Sequence, residues 1–147
     1  MSAGRLTLVG TPIGNLGDLA PRAAEALERA DVVCCEDTRR TGKLLSLAGI
    51  ERRPFVVVNE HTEDREVPRL VARLDRGEHV VLVSDAGMPG VSDPGERLVA
   101  AAVAAGHVVD VVPGPSAALA ALVVSGLPAG RFVFEGFLPR KGAGRAA

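Results

Sequence analysis

Five short aliphatic runs, each nearly unbroken and rich in β-branched side chains, recur along this chain and limit what it can fold into. They are LTLVG (Leu6–Gly10), DVVCC (Asp31–Cys35), FVVVN (Phe55–Asn59), HVVLVS (His79–Ser84) and HVVDVV (His107–Val112). A strand with one wet face alternates apolar and polar residues, whereas a strand without that alternation needs cover on both faces. Between the runs lie LAPRAAEALERA, TRRTGKLLSLAGI, EDREVPRLVARLDRG and PGERLVAAAVAAG, with apolar residues three and four apart, the period of a half-buried helix. Gly77 and Gly106 supply stops for two of these helices. Pro68 predicts that the third helix is weakened or starts later than its apolar pattern. Strand–helix alternation repeated four times predicts an α/β fold. Its core is an open, mostly parallel five-stranded sheet flanked by helices, with right-handed crossovers.

Ligands of such sheets bind beyond the carboxyl ends of the strands. GTPIGNLGD follows the first strand, EDTRRT the second, NEHTED the third, SDAGMPGVSDPG the fourth and PGPSA the fifth. All five unusual segments are therefore predicted on one edge. From about Pro115 the pattern changes: a helix near Ser116–Ser125 precedes a further strand, Phe132–Glu135, and a basic, glycine-rich end. This predicts an N-terminal α/β domain over 1–114. Residues 115–147 read as the beginning of a second α/β domain, truncated before it is complete.

A chain of 147 residues can bury a sizeable core, and with 3% aromatic residues and no Trp or Tyr that core must be Val, Leu and Ala. The same scarcity argues against a module that stacks bases on exposed rings. The net charge of −1 requires any nucleic-acid contact to be a local basic patch. Cys34 and Cys35, adjacent on a strand, point to opposite faces and read as buried reduced thiols, which predicts a cytoplasmic protein. The segment MSAGRLTLVG is too short and polar for a signal peptide, and no apolar run reaches membrane-spanning length.

Within the loops, Pro12 removes an amide donor from GTPIGN, which makes it a poor phosphate cradle. A dinucleotide reading would rest instead on Glu36 and Asp37 at the end of the second strand. Asp93, Pro94 and Glu96 suit an N-cap, a first helical turn and a capping box. Ser84-Asp85-Ala86-Gly87 has no such local excuse. Ala86 and Gly87 allow close approach to the backbone, while Met88, Pro89 and Val91 offer an apolar wall. His61, His79 and His107 share no metal-ligand spacing, so no metal site is predicted. Arg39, Arg40 and Lys43 form a basic cluster at the functional edge. Arg52 with Arg53 reads as a solvated face, and Arg140, Lys141 and Arg145 close the chain.

Taken together, GTPIGNLGD, CEDTRRT, VSDAGMPGVSDPG, VPGPSA and SGLP…FVFEGFLPRK resemble the ribosomal RNA small subunit methyltransferase I family, within the tetrapyrrole-methylase-like class of S-adenosylmethionine enzymes. The resemblance covers nearly the whole chain. It implies 2′-O-methylation of a cytidine in 16S ribosomal RNA of the small subunit, a homodimer, and a two-domain protein with S-adenosylmethionine between its domains. It places the cofactor against Pro12 or Ile13 in the first loop, Ala86, Gly87 and Met88 with Val91 in the fourth, and Ser116 with Ala117 in the last. Where the class often has Gly-Gly-Asp, this chain has Ala86-Gly87-Met88, and Asp85 is the nearby carboxylate that could substitute.

The acceptor hydroxyl needs a positioned base, and Asp37, Glu60, His61 and Asp85 are the candidates by location. Asp37, beside Arg39, is the first choice, and a cap for the helix starting near Thr38 is the competing reading. Arg39, Arg40 and Lys141 are the expected RNA contacts. A methylase of small tetrapyrroles or corrins is the alternative within the fold, and a non-catalytic binding or dimerisation module is the alternative outside it.

Overall fold

The computed structural model describes residues 3–92 and 94–142. Two compact units are present, Met1–Ser116 and Ala117–Ala147. The first is built on strands β1 (Arg5–Val9), β2 (Val32–Cys35), β3 (Phe55–Val57), β4 (His79–Val83) and β5 (Val108–Val112). Every pairing is parallel, and the strand order is β3-β2-β4-β1-β5. The five sequence runs are therefore the five strands, each offset by no more than two residues from its expected bounds.

Helices α1 (Pro21–Arg29), α2 (Thr38–Leu47), α3 (Glu63–Asp75) and α4 (Glu96–Ala104) connect them. Ala23, Leu27 and Leu45 from α1 and α2 pack with Val9, Val33, Cys35, Val81 and Val83 on one face of the sheet. Leu70, Leu74, Leu98 and Ala102 from α3 and α4 pack with Leu6, Val32, Cys34, Val80 and Leu82 on the other. Consecutive residues of β1, β2 and β4 thus feed opposite cores, which is why those runs carry no polar alternation. The edge strand β5 departs from the expected cover on both faces, since Val108 and Val111 are exposed. Cys34 and Cys35 follow suit: both are free, fully buried and on opposite faces, and burial pushes both thiols up.

Three expectations need correction. The first concerns α3, which starts at Glu63 and runs through Pro68, so the proline does not delay it. Leu70 and Leu74 are buried against the sheet, and Asn59 Oδ1 accepts from the His61 and Thr62 amides at 2.8 and 3.0 Å. Packing and this anchored entry outweigh the one helical hydrogen bond that proline removes.

The second is the start of α4, which begins at Glu96 with Gly95 as its N-cap, so Pro94 precedes the helix and does not open it. Asp93 itself lies outside the described residues. The Glu63 carboxylate, only 7% exposed, reaches across from α3 and accepts from the amides of Gly95 and Arg97, both at 3.1 Å, and of Leu98 at 3.4 Å. A charged acceptor on the exposed donors of a helix start meets both their hydrogen-bond demand and their partial positive charge.

The third lies in the second unit. It opens with α5 (Ala117–Val124), and among the described residues Phe132–Glu135 joins no sheet. The β-forming residues are there, but a strand exists only when a partner takes its backbone groups. Phe132, Val133, Phe134, Phe137 and Leu138 are all exposed. Arg145 lies outside the described residues.

Candidate functional site

β1 and β4 are neighbours at the middle of the sheet, and their connections leave in opposite directions. The path after β1 leads through α1 towards β2, while the path after β4 leads through α4 past β1 to β5. This is a topological switch point, the crevice at which open α/β sheets take ligands.

Glycines bring three loops together there. Gly10 donates its amide to the Val112 carbonyl at 3.0 Å, and a Cβ on Gly10 would stand 2.5 Å from Gly114 Cα. Thr11 and Gly87 exchange a pair of backbone hydrogen bonds of 3.0 and 3.1 Å, an isolated antiparallel bridge between the first and fourth loops. Gly87 holds φ at +83°, a left-handed conformation that suits glycine, and an added Cβ would meet the Pro115 carbonyl at 3.3 Å and Ile13 at 3.5 Å. Below it the Ser84 hydroxyl, 4% exposed, donates towards the carbonyls of Ala86 at 3.0 Å and Gly87 at 3.2 Å, fixing the turn from inside.

The residues expected to hold a cofactor divide by environment. Pro12 is half-buried, and Ile13 and Val91 are exposed apolar side chains, at 38% and 54%. Ala86 is exposed and Gly87 buried. The Met88 sulfur sits against Gly10, so this side chain supports the loop junction. Ser116 ends the first unit and Ala117 opens α5 in the second.

Asp37 is the N-cap of α2, its Oδ1 accepting from the Arg39 amide at 2.9 Å with the Arg39 Nε at 3.5 Å. The amide hydrogen bond, and after it the Arg39 charge, hold its carboxyl below the usual carboxylate range. Its own amide donates to Asp85 Oδ1 at 3.2 Å, which ties the end of β2 to the end of β4. Of the two readings the sequence allowed for Asp37, the cap is the interaction present. Glu60 and His61 pair with each other at 3.3 Å, both strongly exposed.

Sequence reasoning overlooked one site. Beside the first loop lies a pocket of about 340 Å³, bordered by Thr11, Pro12, Asp85 and, from α2, Arg40, Lys43 and Leu44. Residues 40, 43, 44 and 47 recur at helical spacing and share one side of α2, away from the buried Thr41 and Leu45. Among the described residues the buried Thr11 hydroxyl has no hydrogen-bond partner. Arg39, one residue earlier, borders a larger hollow of about 590 Å³ with Gly42 and Arg52. Lys141 is an exposed residue of the second unit.

The model of the Tetrapyrrole (Corrin/Porphyrin) Methylases family matches residues 5–146. Among curated proteins, the chain is 56% identical over 142 residues to "Ribosomal RNA small subunit methyltransferase I" of Xylella fastidiosa, covering 97% of this chain and 52% of that protein. Proteins of the same name match from Mycobacterium tuberculosis, at 52% identity with 100% and 52% covered, and from Escherichia coli O157:H7, at 48% with 98% and 50% covered. The chain thus spans about half the length of the curated relatives it matches. Among solved structures, the uroporphyrin-III-C-methyltransferase from Thermus thermophilus superposes with a TM-score of 0.63 at 30% identity, covering 85% of this chain and 54% of that one.

Proposed function

This chain belongs to the Tetrapyrrole (Corrin/Porphyrin) Methylases, and from that premise we propose that it acts in S-adenosylmethionine-dependent methylation of small-subunit ribosomal RNA, on the 2′-oxygen of a cytidine in 16S RNA. The observation that carries this reading is the convergence of the Gly10, Gly87 and Gly114 backbones at the switch point of the sheet. It occurs in a chain 48–56% identical to proteins named as methyltransferases of that RNA. The residues fit the cofactor. Gly87 leaves open, between Ile13 and the Pro115 carbonyl, the space a side chain would fill, and exposed Ile13 and Val91 offer apolar contact beside the backbone groups of Ala86 and Ser116. When bound, S-adenosylmethionine supplies a methyl group already activated by sulfonium charge.

The chain's own contribution is then alignment and exclusion of water. Pro12, Ile13, Asp85, Ala86, Gly87, Met88, Val91, Ser116 and Ala117 are the proposed cofactor contacts. Asp37 holds α2 and, through its amide, Asp85. Arg39, Arg40 and Lys141 are the proposed RNA contacts, cations of the kind that meet phosphates. A homodimer belongs to the same proposal. So does a cytoplasmic place of action, and among the described residues no helix is long and apolar enough to cross a membrane. A tetrapyrrole substrate has the Thermus thermophilus neighbour in its favour, but at 30% identity against 48–56% for the RNA enzymes.

Calorimetric titration of the chain with S-adenosylmethionine tests the cofactor half of the reading. Binding is expected, and Gly87→Arg, which drives a long side chain between Ile13 and Pro115, is expected to abolish it while circular dichroism stays unchanged. Absence of binding by the folded chain would remove the three loops as a cofactor site. Mapping ribose methylation on small-subunit RNA incubated with protein and cofactor tests the substrate half.

A further inference from the structure

The 340 Å³ pocket between the first loop and α2 combines features that no structural role accounts for. Arg40 and Lys43 present two cations on one side of a helix, and among the described residues neither is ion-paired with a carboxylate. Asp85 stands at the pocket with one oxygen held by the Asp37 amide, which orients the carboxylate, and among the described residues its second oxygen has no hydrogen-bond partner. Thr11, 1% exposed, keeps a hydroxyl without a hydrogen-bond partner at the same pocket. A buried hydroxyl left unpaired is destabilising, and a ligand that supplies the partner relieves that cost. Pro12 and Leu44 complete an apolar wall. A matching ligand carries an anionic group, a hydroxyl and a flat apolar body within a small volume. A nucleotide has all three.

We infer that this pocket seats the acceptor nucleotide of the RNA, with Arg40 and Lys43 on its phosphate and Asp85 and Thr11 on its ribose hydroxyl. The inference rests on the RNA reading above and specifies where that substrate docks. Asp85 lies in the fourth loop, two residues before Gly87. One loop therefore serves both the proposed cofactor cleft and the nucleotide pocket, and a hydroxyl held by Asp85 is brought to the edge of that cleft. Lys43 and Thr11 are thereby positioning residues for RNA, set on α2 and at the end of β1.

The test is a nitrogen-15 chemical-shift titration of the protein with a short cytidine-rich oligoribonucleotide and with its 2′-deoxy counterpart. Saturable shifts are expected at the amides of Thr11, Gly14, Lys43 and Leu44. Lys43→Gln is expected to weaken both oligonucleotides roughly tenfold, the effect of losing one charged hydrogen bond. Thr11→Val, which keeps the side-chain shape, is expected to weaken the ribose form about fivefold and to leave the deoxy form unchanged. Shifts confined to Arg39, Gly42 and Arg52, indifferent to Lys43→Gln, would overturn the pocket assignment while leaving the RNA reading in place. Equal effects of Thr11→Val on both oligonucleotides would remove the ribose contact. No response to either would overturn the assignment and the RNA reading together.

Discussion

Single side chains in this chain meet constraints that their neighbours in sequence do not reveal. His79 begins β4, and its Nε2 lies 2.9 Å from the buried Thr7 hydroxyl while its amide donates to Asp31 at 2.8 Å. Burial lowers the imidazole pKa from 6.5; the Arg5 charge adds to the shift, and Asp31 together with the Arg29 backbone opposes it. A histidine whose folded pKa is depressed binds fewer protons in the folded state than in the unfolded one. Its contribution is therefore intact above the unfolded value of 6.5 and is lost as pH falls from there towards the lower folded value. The urea midpoint is expected to fall between about pH 7.5 and pH 5.5, and to fall less in His79→Gln, which keeps a polar partner for Thr7 but does not titrate over this range. Equal falls in the two proteins would assign the acid sensitivity elsewhere. Asp37, depressed by its amide bond, adds loss only at pH below the ordinary carboxylate range and does not confuse this comparison. The same residue shows what sequence could and could not tell. N-cap chemistry was legible from Asp37 preceding a helical run, but the bond from its amide to Asp85 joins residues 48 apart and needs the strand order to be known.

Among the secondary-structure elements, β1, β2 and β4 were legible because burial on both faces writes itself as uninterrupted Val and Leu. β5 carries the same kind of run with Val108 and Val111 exposed, so its β-branched residues, not its burial, made it legible. Element junctions were less so, because their stabilising groups come from far along the chain. The start of α4 is the clearest case: local sequence suggested a cap from Asp93 and Glu96, and the cap present is Glu63, over thirty residues upstream. Removing it leaves three amides of a helix start with no acceptor, two of them in buried bonds. Glu63→Ala is expected to destabilise the first unit by about 2 kcal/mol, with a lowered urea midpoint and faster amide exchange at Gly95, Arg97 and Leu98. Glu63→Gln, which keeps a carbonyl acceptor but no charge, is expected to lose roughly half as much. Unchanged exchange at Leu98 in Glu63→Ala would show that the helix start finds another acceptor. Phe132–Glu135 carries the complementary lesson, since β-forming residues without a neighbouring strand yield extended chain and no ladder.

The molecule as a whole places its chemistry on one sheet edge, and parallel topology makes this inevitable, because every carboxyl end points the same way. That much of the site could be read from sequence. The pocket of Thr11, Lys43 and Asp85 could not, because it forms only where α2 comes to lie beside the first loop, across an arrangement in which β4 separates β2 from β1. Global charge gives a further, quantitative handle. With a net charge of −1, this chain as a whole does not attract RNA, so the proposed binding must depend on a few local cations. Three of them, Arg39, Arg40 and Lys43, sit within two turns of α2. Each phosphate contact with a single strand contributes about −0.7 to the slope of log affinity against log salt, so these three with the proposed Lys141 contact predict a slope of about −2.8. Lys43→Gln should flatten it to about −2.1, since one of the four contacts is lost while the other three persist. Fluorescence anisotropy of a labelled oligoribonucleotide across a salt series measures both slopes. A wild-type slope steeper than about −4 would mean that cations beyond this helix dominate. A slope indifferent to Lys43→Gln would place the phosphates on the Arg39 and Arg52 side of α2. Because the acceptor pocket and the larger hollow lie against the same helix, the change in slope on losing Lys43 tells which of them the RNA backbone follows.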